Sequence, residues 1–197
     1  MPKVGMEPLR KAALVKATIE EIGRVGSLDV TVSQIAKRAG MSSALAHHYF
    51  GSKEDIFAAA MRHLLTDYAQ EVRAALLGVN SPKARLQAIL QASFSESHFS
   101  SEGVASWLNF WVFSARLPQG KRLVAIYQRR LRSNLLYGLR PLVGERAEKV
   151  ADQMGALIDG IYLREVLKSG PANGARAFAK AMDFLEKEIS LAHSANS

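Results

Sequence analysis

TVSQIAKRAGMSSALAHHYF, Thr31 to Phe50, is the stretch on which the reading of this chain turns. Thr31 followed three residues later by Gln34 is a capping box, which starts a helix by satisfying first-turn donors that have no partner. Val32, Ile35, Ala36 and Ala39 then fall at i, i+3, i+4 and i+7, one apolar stripe of a short amphipathic helix. Gly40 ends that helix, and Ser42 can cap a second one reaching Phe50. Two short helices joined by a tight glycine-containing turn have the form of a helix-turn-helix. Ile35, Ala36, Ala46 and Phe50 are placed to pack the helices together, which leaves Ser43, Ala44 and His47 on the far face of the second. Small residues at the start of such a helix allow close approach to base edges. Thr31, Ser42, His47, His48, Tyr49 and Lys53 bring donors to the rim, where phosphates would lie. With Leu45 added, these residues are the candidate nucleic-acid contacts. A helical hairpin with a solvated basic face would share the same periodicity and charge.

Outward from this stretch the pattern stays helical. Alternating strand-like segments are absent, and only three threonines occur in an Ala- and Leu-rich chain. Starts and stops predict a helix over about 7–25 before the motif and a long one from Ser52 to about Leu77. Ser81-Pro82 opens another, and further helices fit about 102–115, 118–140, 146–168 and 171–191. The late prolines, Pro82, Pro118, Pro141 and Pro171, are expected at helix boundaries. About nine helices and no sheet make an all-α protein. The expected division is a helix-turn-helix domain over 1–53 and a helical domain over 54–197.

The charge is uneven. The 197 residues net +8, with 26 Lys or Arg against 18 Asp or Glu. Residues 1–53 carry eight of those cations and four acids, so this quarter of the chain holds half the net charge. An anionic partner would dock there. There are no cysteines, which excludes disulfides, thiol catalysis and Cys-ligated zinc. The longest apolar runs, such as Ile56–Met61, are far short of the roughly 20 residues a membrane-spanning helix needs. The first residues carry charge without an apolar signal-peptide core, so a soluble cytoplasmic protein is expected. Five histidines form no ligand spacing for a metal, and no phosphate-cradling glycine loop, nucleophile elbow or paired catalytic carboxylates occur. An enzyme is not expected, nor a cofactor.

The first 60 or so residues resemble the TetR family of bacterial repressors. Ala17, Gly26, Thr31, Ile35-Ala36, Ala39-Gly40, Ser42, Phe50, Lys53 and Ile56 meet that family's pattern at its spacings. One departure is that Ala46-His47 stands where the family usually has Leu-Tyr. The phosphate contact of that tyrosine would pass to His47 or Tyr49. Later runs, Ala105–Trp111, Arg130–Leu135 and Ala156–Arg164, are similar to the family's choline-responsive branch, which controls synthesis of glycine betaine from choline. The resemblance implies a homodimer that binds a palindromic operator and responds to a choline-like cation. A drug-efflux or other catabolic repressor of the same family is the alternative.

In that family the last two helices of each subunit form the dimer interface. Here Met154, Ile158 and Ile161 on one, and Phe178, Met182 and Leu185 on the other, are the expected contacts, although the same stripes could face the subunit's own core. Quaternary ammonium groups are held by aromatic faces through cation–π attraction. Trp107, Phe110 and Trp111 are therefore candidate walls, as is Tyr162. Asp159 is a candidate counter-ion, and Phe94, Phe99 and Tyr127 are further possible walls. Aromatics at helical spacing also serve as ordinary core.

Overall fold

The computed structural model describes residues 5–195, so Lys3, one of the eight N-terminal cations, lies outside the described residues. Among them are nine α-helices and no strand: α1 (Met6–Val25), α2 (Val32–Arg38), α3 (Ser43–Phe50), α4 (Lys53–Ala75), α5 (Pro82–Ser93), α6 (Ser101–Arg116), α7 (Pro118–Val143), α8 (Ala147–Leu167) and α9 (Gly174–Ala195). Short 3-10 turns occupy Glu96–Phe99 and Gly144–Arg146. No helix described is long and apolar enough to cross a membrane.

Contacts divide the chain into two compact units, residues 1–66 with 100–124, and residues 67–99 with 125–197. Helices α4 and α7 each contribute to both. The boundary expected at residue 53 falls inside the first unit, which also takes in α6.

In the first unit, α1 buries Leu14, Thr18, Glu21 and Ile22 along one face, at i, i+4, i+7 and i+8. The Thr18 hydroxyl donates to the Leu14 carbonyl within the helix, so its burial leaves no donor unpaired. Helix α6 lies against α1. Asn109 fixes the contact, its side-chain amide donating to the carbonyls of Gly26 (3.2 Å) and Ala105 (2.8 Å). The turn between α2 and α3 is a Schellman motif. Gly40, at φ +67°, donates to the Lys37 carbonyl and Met41 to that of Ala36. A side chain at position 40 would be strained there.

In the second unit, α8 and α9 pair and α5 packs on α9. Glu165 is almost wholly buried and receives Lys168 (2.8 Å), Arg176 (2.8 Å) and Lys180 (3.0 Å). Burial opposes its charge, but hydrogen bonds from Lys180 and Arg176 outweigh that and hold the carboxyl below its ordinary range.

Two proline expectations need correction. Pro141 lies inside α7, not at its end. Proline's missing N–H deprives the carbonyl four residues back, at Tyr137, and Tyr137 is 67% exposed, so water can take that place. Helix α9 begins at Gly174 and not at Pro171, because the Asn173 side chain caps it by accepting from the Arg176 N–H at 2.8 Å. A Cβ at Gly174 would also collide with the Phe94 carbonyl.

Of the residues expected at a partner subunit, Met154, Ile158, Ile161 and Leu185 are buried within the chain itself, Leu185 completely. They are core residues on which α8 and α9 close. Phe178 and Met182 stay half-buried. The outer side of α8 instead exposes Ala156, Leu163 and Leu167.

Candidate nucleic-acid interface and aromatic cluster

The sequence builds α3 as a helix with one buried side. Ala46 is fully enclosed against α2 and α1, while Ala44, His47 and His48 are exposed and Ser43 and Leu45 are half-buried. The caps are as the spacing predicts. Thr31 accepts from the Gln34 N–H, and the Gln34 side chain accepts in turn from the Thr31 N–H at 2.7 Å. The Ser42 hydroxyl accepts from the Leu45 N–H at 3.2 Å. Both hydroxyls are exposed and sit at helix N-termini, where backbone donors favour an anion.

At the other end of α3 the rim is held by α1. Arg10 donates to the Tyr49 hydroxyl at 3.3 Å, and the Lys11 ammonium lies 6.0 Å from the Tyr49 ring. The His48 and Tyr49 rings are 5.6 Å apart. His47 turns toward the C-terminal end of its own helix, its Nδ1 2.9 Å from the Gly51 carbonyl. The Lys53 ammonium lies over the Phe57 ring at 5.2 Å. Arg38 pairs with Glu20 and Glu21 and so braces α2 on α1. The hydrogen bond from Arg24 holds the Glu21 carboxyl below its ordinary range; burial works against this and Arg38 adds to it.

The ligand candidates fall in two different units. Trp107, Phe110 and Trp111 belong to the first unit, where the Trp107 ring stands perpendicular to that of Phe110 at 5.7 Å and Phe110 is fully buried. Asp159 and Tyr162 belong to the second unit. There they meet residues that spacing alone did not connect. Tyr127 donates to Asp159 Oδ1 at 3.0 Å, and the Tyr127 ring lies 5.7 Å from Tyr68. The Ser93 hydroxyl donates to the Ile89 carbonyl, so Tyr68 must donate to Ser93 Oγ, at 2.9 Å. Tyr162 donates to the His98 carbonyl at 2.8 Å and its ring lies 5.2 Å from Phe99. His98 is 5.9 Å from Tyr68, ring to ring, and its Nε2 is 3.4 Å from Glu71.

Burial pushes Tyr68 up to about 12 and raises Tyr127 and Tyr162 well above the usual phenol range, so all three stay neutral donors. Burial also raises Asp159, against the opposing hydrogen bond from Tyr127. No Lys, Arg or His pairs with Asp159 among the described residues. The cluster is a carboxylate among aromatic rings, arranged to favour a cation. Tyr68, Glu71, Ser93 and His98 carry no sequence signal that would have joined them to it. The 3-10 turn that presents His98 and Phe99 is equally unmarked.

Residues 14–60 match the model of the bacterial regulatory proteins of the tetR family, and residues 82–190 match that of the BetI-type transcriptional repressor C-terminal region. The HTH-type transcriptional regulator BetI of Brucella anthropi is 46% identical over 96% of this chain and 98% of its own. That of Agrobacterium fabrum is also 46% identical, over 96% and 92%. A transcriptional regulator of Pseudomonas aeruginosa superposes with a TM-score of 0.82 at 25% identity, over 95% of this chain and 93% of its own. A regulator of Saccharomonospora viridis solved in complex with choline shares the fold, with a TM-score of 0.77 at 21% identity, over 89% and 95%. With both regions matched and relatives aligned end to end, this chain belongs to the TetR family of bacterial transcriptional regulators, its C-terminal region being of the BetI repressor type.

Proposed function

We propose that this protein is a dimeric repressor of genes that make glycine betaine from choline, and that choline or a closely similar cation is its effector. The name shared by its relatives and the choline held by one structural neighbour support the reading. Within the chain it is carried by Asp159, a partly buried carboxylate whose hydrogen-bond partner is a tyrosine and which has no cation beside it among the described residues. A trimethylammonium group set among Tyr127, Tyr68, Phe99 and Tyr162 would supply that charge, and each well-placed ring adds roughly 0.5–2 kcal/mol.

Operator recognition is assigned to α3 and its rim. Ser43, Ala44 and Leu45 approach the bases, and Thr31, Ser42, His48, Tyr49 and Lys53 approach the phosphates. Two subunits would place their α3 helices about 34–36 Å apart, one turn of DNA.

Calorimetric titration with choline tests the effector. Saturable binding is expected, with little or none for 3,3-dimethylbutanol, the neutral compound of the same shape. Asp159→Asn should weaken choline at least tenfold while ligand-free operator affinity holds. A bulky dye cation that binds where choline does not would replace this reading with that of a drug-responsive repressor.

A further inference from the structure

His47 is exposed on α3, and its two ring nitrogens are not equivalent. Nδ1 lies 2.9 Å from the Gly51 carbonyl. A carbonyl can only accept, so Nδ1 carries the hydrogen and donates it. In a neutral imidazole Nε2 is then a bare lone pair. No group of the chain hydrogen-bonds Nε2 among the described residues. A phosphate oxygen offers only lone pairs, so Nε2 could meet it only if the ring took up a second proton.

The phosphate contact that position 47 was expected to share falls instead to its neighbour. The Tyr49 hydroxyl accepts from Arg10 and so keeps its own hydrogen to give. Lys53 stands three residues beyond the end of α3 with an ammonium that can only donate.

We propose that His47 is a base-reading residue, its Nε2 accepting a hydrogen bond from an exocyclic amino group in the major groove. The amino groups in question are N6 of adenine and N4 of cytosine, the hydrogen-bond donors that base pairs present there. Ser43 is one helical turn earlier on the same side, and Ala44 beside it offers only a methyl group, so little bulk holds that side away from the groove. The proposal rests on the reading that α3 enters duplex DNA.

Selection from a duplex library randomised over two inverted half-sites tests it, run in parallel with the wild-type chain and with His47→Ala. The wild type should fix one position per half-site as adenine or cytosine. His47→Ala should relax that position alone and bind the selected sequence about five- to tenfold more weakly, with an unchanged salt slope. Replacing the selected adenine by purine, or the cytosine by pyrimidin-2-one, deletes only the amino group. It should weaken the wild type by the same factor and leave His47→Ala unmoved. His47→Gln, whose side-chain carbonyl accepts, should retain the preference. His47→Lys, a pure donor, should lose it. If deleting the amino group does not weaken the wild type, the proposal fails. It fails equally if His47→Ala weakens all sequences alike and flattens the salt slope by about one unit, the mark of a phosphate contact. A wild-type chain that enriches no sequence would overturn the DNA reading of α3 and the proposal together.

Discussion

Asp159 is the residue at which charge, burial and the proposed function meet. Its carboxyl is raised because burial disfavours the ionised form more than the Tyr127 hydrogen bond favours it. A bound cation would reverse the balance, since an opposite charge within a few ångströms favours ionisation. By linkage, a choline bound there would prefer the ionised form, so its affinity should be greatest at high pH and fall as pH drops through the raised pKa. That fall should begin above the pH at which an ordinary aspartate, near 3.9, would titrate. Choline titrations carried from neutral pH down to the acid limit of the folded state should show it in the wild type. Asp159→Asn should bind weakly with a flat profile. A wild-type affinity unmoved by pH and unmoved by the substitution would mean that Asp159 does not face the cation.

Among the elements, the α8–α9 pair hangs on one carboxylate. Glu165 gathers Arg176 and Lys180 from α9 and Lys168 from the end of its own helix, and is itself out of water. Glu165→Gln removes the charge at constant shape and leaves those cations without a counter-charge, at a cost of about 1–3 kcal/mol because they are half-exposed and can hydrate. Its folded pKa is depressed, so the stabilisation is fully present above the unfolded value near 4.3 and is lost as pH falls through the folded value. Thermal melts should therefore show a gap between wild type and Glu165→Gln at pH 7 that closes on strong acidification. A constant gap would assign the effect to packing.

What could be read from sequence follows the range of the interaction. Helices α2 and α3, with Thr31, Gln34, Gly40 and Ser42, were legible because caps and turns are settled within three or four residues. The start of α9 was misread because Pro171 gives a strong local signal and the Asn173 cap a weaker one. The aromatic cluster was half legible. Asp159, Tyr162, Phe99 and Tyr127 were plausible members by type. Their meeting depends on contacts spanning 32 residues, as in Tyr127–Asp159, or 64, as in Tyr162–His98, and no periodicity encodes those. The density of tryptophan and phenylalanine points to α6, where the Trp107 and Phe110 rings pack on each other.

At the scale of the whole molecule, the proposed palindromic operator would require two α3 helices, and the fold would then have to supply a surface that pairs subunits. A core position cannot reveal that surface, because a charge at Leu185 would unfold the subunit and abolish pairing for the wrong reason. The outer side of α8 gives a cleaner test. Leu163 and Leu167 are 39% and 66% exposed, and a Cβ at Gly160 between them and Ala156 would meet nothing within 4 Å. Exposed leucines on a helix side with small neighbours suit close approach of a second helix, and Phe178 and Met182 on α9 offer further partly open apolar surface. Leu163→Glu with Leu167→Glu costs little in the isolated subunit, since both side chains already touch water. In an apolar interface the same charges would stand unpaired and cost several kcal/mol. Sedimentation should then show monomers of unchanged helicity, and operator binding should be lost because one half-site alone is held weakly. Dimers that survive the double substitution would place the interface away from this side of α8. The exposed face of α7 around Tyr137 would be the next surface to test.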